Sequence, residues 1–447
     1  MKRTLIYSVV AAAIGVCTLL LAQEHTEIRI PGQGTKPPIA VPDFRGSGEA
    51  QQFMDAFNRT LWNELQNSGQ VKMITKTFYP LQLPQQPSDF KTAPQTPAMT
   101  QWSSPPLNAN WLAFGYTAPQ NGQLVLYGWL FNVLQPTVQS AQVLGKIYLG
   151  SLDEAGAIKV ARDFAADILK QLGAKSLIGT KIYFVSDRTR NKEIWSMDYD
   201  GTHEVQLTHY ASITTFPAVS ADNTKLAFTT YAKGQPQIFV HSLESGRKLP
   251  FYNQAASMNA ASDFTPDSQR LLFYSTASGG FAQIYSARAD GSNLQRITNC
   301  RCIDVEPKIN PKTGADVVFV SGRGGLPQIY RMNADGTDVV RLTNGEGEAT
   351  NPSWNPDGQR IAFAWTKGFD PGNYNIFVMD IATGNILQLT HGEGRNENPT
   401  WAPDGLHLAY ASKRGRASQI WTMLADGAEK RQLTNVGSNE KPVWSRQ

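Results

Sequence analysis

The stretch NPSWNPDGQRIAF, residues 351–363, returns again and again along the chain, and a return of this kind leaves few folds open. It recurs as NPTWAPDGLHLAY at 398–410, FPAVSADNTKLAF at 216–228 and ASDFTPDSQRLLF at 261–273. A degenerate copy, EPKINPKTGADVVF, occupies 306–319, and the chain ends on KPVWSRQ, a copy cut off halfway. Phe184, Phe228, Phe273, Phe319, Phe363 and Tyr410 hold one register, 44 to 47 residues apart. Each is followed by a loop, then a strand such as QIYRMNADG (328–336), then a short strand ending in Leu-Thr or Ile-Thr, an ending that KLPFYN (248–253) lacks. Four short strands per unit at a period in the mid-forties predict β-propeller blades, and six registers predict six of them.

The recurrent PDG and ADG place Asp-Gly where a tight hairpin needs positive φ, so these aspartates read as turn residues before metal ligands or catalytic acids. The repeat region starts on a second strand, KIYFVSD, and ends on an inner strand, KPVWSRQ. The first blade therefore takes its inner strand from the end of the chain, which removes open sheet edges. Strand parity puts the Asp-Gly turns on one face. The other face carries the more varied loops, and its channel mouth comprises Thr215 and Phe216, Ala260 and Ala261, Val305 and Glu306, Thr350 and Asn351, Glu397 and Asn398, and Glu440 and Lys441. Arg188, Arg190, Arg323, Arg414 and Arg416 surround it, predicting an acidic, polar mouth inside a basic rim.

Upstream of the repeat the pattern differs. Lys2 and Arg3, an apolar run to Leu21, and Ala22 read as a secretory signal over 1–22. Residues 23–175 predict a small α+β domain. HTEIRI and PPIAVPDF are strands, and Ser47 is placed to cap a helix with a Phe53, Phe57, Leu61, Leu65 stripe. Residues 80–106 hold seven prolines and read as an irregular crossing. Two strands then meet at Asn121-Gly122, and a last helix carries Val160, Phe164, Ile168 and Leu172 inward, stopping at Gly173. The fold class expected is mainly β: a six-bladed propeller over 176–447 preceded by this α+β domain. A net charge of +4 with no basic stripe argues against a nucleic-acid partner. No later segment is apolar enough to span a membrane. Cys300 and Cys302 sit in a tight Cys-Arg-Cys arrangement that export leaves free to bridge or not.

In the order and kind of its parts the chain resembles the TolB family, periplasmic components of the Tol–Pal envelope system. The resemblance implies a monomeric periplasmic protein with no catalysis and no cofactor, linking the outer-membrane lipoprotein Pal to the inner-membrane TolA complex. It implies Pal contacts at Thr215, Ala261, Val305, Glu306, Asn351 and Asn398. It also implies a segment for the TolA C-terminal domain at Glu24, Glu27, Ile28, Arg29 and Ile30. The third inner strand departs from the pattern, with Ser262 where its siblings carry proline.

Two other readings stay open at this level. An exported propeller could serve a different partner. A propeller hydrolase could use a carboxylate pair such as Glu306 and Glu397. Against it, the chain has no Gly-x-Ser-x-Gly turn for a peptidase, no sialidase-type Asp turns, no zinc spacing among six histidines and no cofactor fingerprint.

Overall fold

The computed structural model describes residues 35–90, 98–367 and 372–446. The expected signal and the strand at 24–30 lie outside these residues. The first domain is a mixed sheet in the order Lys72–Met73, Pro38–Ala40, Trp111–Gln120, Gln123–Asn132, Gln142–Ser151, with Arg45–Gly46 beside the third of these. The short strands pair in parallel and the long ones antiparallel. Asn121 and Gly122 make the central hairpin at φ of 50° and 73°, both left-handed, as a two-residue turn of this kind requires.

Two helices, α1 (Met54–Asn67) and α2 (Glu154–Gln171), cover one face. They bury Phe57, Leu61 and Leu65 against Val160, Phe164 and Ile168. A Cβ at Gly128 would stand 2.9 Å from the Phe164 ring, so glycine there lets α2 approach the sheet. Two expectations change. Ser47 makes no side-chain cap, because a 3-10 segment, Gly48–Phe53, precedes α1. The Pro-rich stretch is also more than a crossing: its helical turn Met99–Ser103 buries Trp102 with Phe90, Phe114 and Phe131 over the sheet's second face.

The remaining chain forms six four-stranded antiparallel sheets. Their inner strands are Asn439–Trp444, Thr214–Val219, Asn259–Phe264, Asp304–Ile309, Ala349–Trp354 and Arg395–Trp401. The first belongs to the blade of Lys181–Thr189, Asn191–Asp198 and Val205–Gln206, with Trp444 opposite Ile182 and Val443 opposite Tyr183. Chain start and chain end of the repeat region thus share one sheet. Trp444 packs between blades, among Phe184, Met197, Ala402 and Ile420. The six aromatic residues that set the repeat register are all buried.

The Leu-Thr and Ile-Thr endings act as latches. In five blades the threonine Oγ1 accepts the backbone N–H of the isoleucine on the third strand, at 2.8 to 3.0 Å. In the blade without that ending, Asn253 Oδ1 accepts from Ile238 at 2.8 Å and does the same work. The tight turns follow one pattern too: the Asp-Gly aspartates Asp335, Asp357, Asp404 and Asp426, and their counterparts Asp222 before Asn223 and Asp267 before Ser268, each accept the backbone N–H two residues on. That is the turn role their spacing predicts.

The first domain sits on the Asp-Gly face. Arg162 of α2 bonds Glu64 of α1 and Asp200 of a propeller turn, and the Tyr199 hydroxyl donates to Glu64. His407 Nε2 lies 3.1 Å from the Asn67 carbonyl, while its Nδ1 lies 2.6 Å from Asp404. Leu424 fills the space beside Gly69, where an added Cβ would come within 2.8 Å of it. The opposite face, with the varied loops, is left uncovered by this domain.

Candidate functional site at the propeller mouth

Every inner strand shifts register near its start, between Thr215 and Ala218, Ala261 and Asp263, Val305 and Lys308, Thr350 and Ser353, Glu397 and Thr400, and Glu440 and Val443. At five of these bulges one residue is left-handed: Phe216, Glu306, Asn351, Asn398 and Lys441, with φ of 52° to 54°. Each precedes a proline, whose missing N–H costs nothing where the ladder is already broken. Asparagine tolerates this conformation, but phenylalanine, glutamate and lysine rarely adopt it, and such strain concentrates at functional positions. Ala261 is the exception: Ser262 stands in place of proline and its hydroxyl donates to the Pro307 carbonyl at 2.8 Å.

These residues join side by side around a central cavity of about 450 Å³. Glu306 accepts the Asn351 backbone N–H at 2.8 Å and its side-chain amide at 3.1 Å. Asn351 Oδ1 in turn accepts the Asn398 N–H at 3.3 Å. On the far side the Lys441 ammonium lies 4.3 Å from the Phe216 ring, which meets Tyr274 edge-on. Burial, and then the charge of Glu306, push the Tyr274 phenol well above its usual pKa. Of the mouth residues expected from sequence, Glu306, Asn351 and Asn398 are brought together half-buried at the cavity. Thr215 and Ala261 are buried, and Val305 is half-buried against the Ala260 and Tyr274 cluster, so these three form the wall behind it. Sequence reasoning missed Asp263, Lys308 and Arg446, which also line the cavity.

The basic rim differs from expectation. Arg188 pairs with Glu204 and lies 4.5 Å from the Trp195 ring. Arg323 pairs with Asp304 at 3.1 Å and lies over Tyr330, and Arg414 pairs with Glu393 at 3.1 Å and lies 3.7 Å from Trp421. These guanidiniums are therefore tied within their own blades, while Arg190 and Arg416 are exposed. The carboxylate pair considered for hydrolysis is occupied as well, Glu306 by Asn351 and Glu397 by Arg395 at 2.5 Å. Among the described residues one group has metal-ligand proximity, Cys300, Cys302 and Asp304. Its thiols are spent on a disulfide and its carboxylate accepts from Arg323, so the donor set does not suit an ion. The TolA-type segment, Glu24 to Ile30, lies outside the described residues. No helix among the described residues is long and apolar enough to cross a membrane.

Fold and mouth together define a class: a six-bladed propeller closed by its own last strand, with an α+β domain on the turn face and a strained, polar ring exposed on the other. Comparison with known families agrees. Residues 170–447 match the TolB beta propeller domain and residues 26–138 the TolB amino-terminal domain. The chain belongs to the TolB family. It is 29% identical over 294 residues to a "Protein TolB homolog" of Chlorobium luteolum, covering 66% of this chain and 63% of that one. It is 28% identical over 295 residues to "Tol-Pal system protein TolB" of Bordetella pertussis, 65% and 62% of the two chains. A Chlorobium chlorochromatii homolog matches at 34% over 200 residues, and there the match spans 43% of the relative's length. The crystal structure of TolB from Acinetobacter baumannii superposes with a TM-score of 0.75 over 93% of this chain and 98% of that one, at 21% identity, a likeness of fold.

Proposed function

We propose that this chain is a non-catalytic periplasmic binding component of a Tol–Pal system, docking a Pal-type peptidoglycan-associated lipoprotein on the propeller mouth. In this reading Glu306, Asn351 and Asn398 contact the lipoprotein, with Thr215, Ala261 and Val305 shaping the wall behind them. The segment with Glu24, Glu27, Ile28, Arg29 and Ile30 adds as a strand to the TolA C-terminal domain. The two contacts link outer to inner membrane and support envelope integrity and outer-membrane invagination in division. The observation that carries the reading is the pre-formed ring of left-handed residues on the face that the first domain leaves open. Holding those side chains before a partner arrives reduces the ordering cost of binding. Membership in the TolB family supports the partner class.

Calorimetry with a soluble Pal-type lipoprotein domain tests it. Asn398→Lys is the informative variant, because Lys441 occupies the same left-handed slot one blade on. It should weaken binding about tenfold or more, as a hot-spot position does, while staying folded and melting only slightly below the parent, since lysine adopts that φ less readily than asparagine. Glu244→Arg, exposed on the turn face, should bind as the parent. Equal affinity for the parent and Asn398→Lys would overturn the docking site.

A further inference from the structure

From the mouth inward, four cations line the cavity, Lys175, Lys308, Lys441 and Arg446, against two carboxylates, Asp263 and Glu306. Both carboxylates are already engaged. Asp263 accepts from Arg446 at 3.0 Å with one oxygen and from the Ile309 N–H at 3.0 Å with the other. Glu306 is clasped by Asn351 through both oxygens. The donors are in surplus. Lys308 Nζ gives one bond, to the Ser262 carbonyl at 2.5 Å. Arg446 Nη1 is buried with no hydrogen-bond partner, and so is the indole N–H of Trp401, which lines the same cavity.

We propose that the propeller channel binds a compact oxyanion of two or more negative charges, phosphate or polycarboxylate, between Lys308 and Arg446. A buried donor without an acceptor costs free energy, and a buried cation costs more unless an anion faces it. Burial holds the Lys308 ammonium below its usual pKa; the charges of Asp263 and Glu306 partly offset this, and those of Arg446 and Lys441 push the same way as burial. An oxyanion supplies both the charge and the acceptors, and a charge-assisted bond to guanidinium or ammonium is the strong kind. The cavity, at about 450 Å³, admits an ion of this size with water to spare. The proline-free strand shapes the place: because Ser262 replaces proline, a hydroxyl is there to donate to the Pro307 carbonyl of the next blade, beside the Ser262 carbonyl that accepts from Lys308. The inference is independent of which protein docks at the mouth.

The test is calorimetric titration of the whole chain with inorganic phosphate and, separately, citrate, at constant ionic strength against a chloride reference. Saturable one-site binding of either is expected, and which one binds tighter tells an inorganic ion from an organic polycarboxylate. Lys308→Met and Arg446→Gln should each weaken it about tenfold, and Lys413→Gln, exposed at the end of the strand His407–Lys413, should not. Because Lys308→Met could disturb the ring, crystals of the unaltered protein soaked in selenate give a second readout: an anomalous peak between Lys308 and Arg446. Responses to phosphate and citrate no different from chloride, unchanged affinity in both folded variants, or a channel without selenate would each overturn the site.

Discussion

Trp444 Nε1 donates a hydrogen bond to Thr180 Oγ1 at 2.9 Å, joining residues 264 positions apart. The bond fastens the last inner strand to the start of the repeat region, in the sheet where Ser445 also bonds the Lys181 backbone at both ends. Trp444→Ala should cost about 3–5 kcal/mol, the usual range for truncating a buried Trp. Removal of 439–447 should do more, because it leaves an unpaired inner edge open to another chain. Chemical denaturation gives the first value, and size-exclusion chromatography should show association for the truncated chain. A truncated chain that stays monomeric and melts like the parent would count against closure.

The threonine latches predict a graded series. Thr343→Val leaves the buried Ile329 N–H without an acceptor, at about 1–3 kcal/mol, whereas Thr343→Ser keeps the oxygen and should stay near the parent. Asn253→Leu should cost at least as much as Thr343→Val, because the Asn253 side chain accepts the Ile238 N–H and also donates to the Ile238 carbonyl. Urea denaturation of the three variants decides this.

At the mouth, Asn351 tolerates a φ of 54° that a β-branched side chain does not. Asn351→Val should therefore cost on the order of 1–3 kcal/mol. Asn351→Gly accepts the conformation and keeps the backbone N–H on Glu306, so it should be the milder change. Thermal denaturation separates the two, and equal melting would mean that the left-handed bulge is not a constraint.

The seam between domains carries a pH dependence. Burial opposes charge on His407, but the hydrogen bond and charge of Asp404, with Glu429 nearby, outweigh it and set its pKa above 6.5. Burial likewise pushes Asp404 up, and the His407 bond and two backbone N–H groups win, setting it below 3.8. A raised histidine contributes stability that is full below its unfolded pKa and is lost as pH rises through the folded value. A depressed aspartate contributes stability present above its unfolded value and lost as pH falls through the folded one. The pair therefore stabilises most between about pH 4 and 6.5. His407→Gln should narrow the difference between parent melting at pH 6 and at pH 9, which differential scanning calorimetry measures.

Much of this was legible because the repeat fixes strand phase. Once Phe184 and Tyr410 hold one register, the half copy at 441–447 has a single place to go, opposite 181–185. The Asp-Gly turns and the Asn121-Gly122 hairpin were legible for the same reason, a residue type that a backbone angle demands. The mouth was harder. A bulge flips the alternation of a strand, so simple parity gives Thr215 and Val305 the same standing as Phe216 and Glu306, whereas the left-handed residue is the one turned to the ring. Lys308 lies beyond the flip, and no repeat position marks it. Asn253 replaces threonine by function without resembling it. The stretch around Trp102 has no period to read, and Ser47 precedes a 3-10 turn that its composition does not announce.

Docking at the mouth is tested most directly by hydrogen–deuterium exchange on the whole chain, with and without a Pal-type lipoprotein domain. Protection should appear at the starts of the inner strands, around Glu306, Asn351 and Asn398, and in the loops beside them. The tight turns around Asp222, Asp267 and Asp335, on the opposite face, should exchange as before. Protection confined to those turns, with the mouth unchanged under saturating partner, would contradict the assignment of the open face as the binding surface.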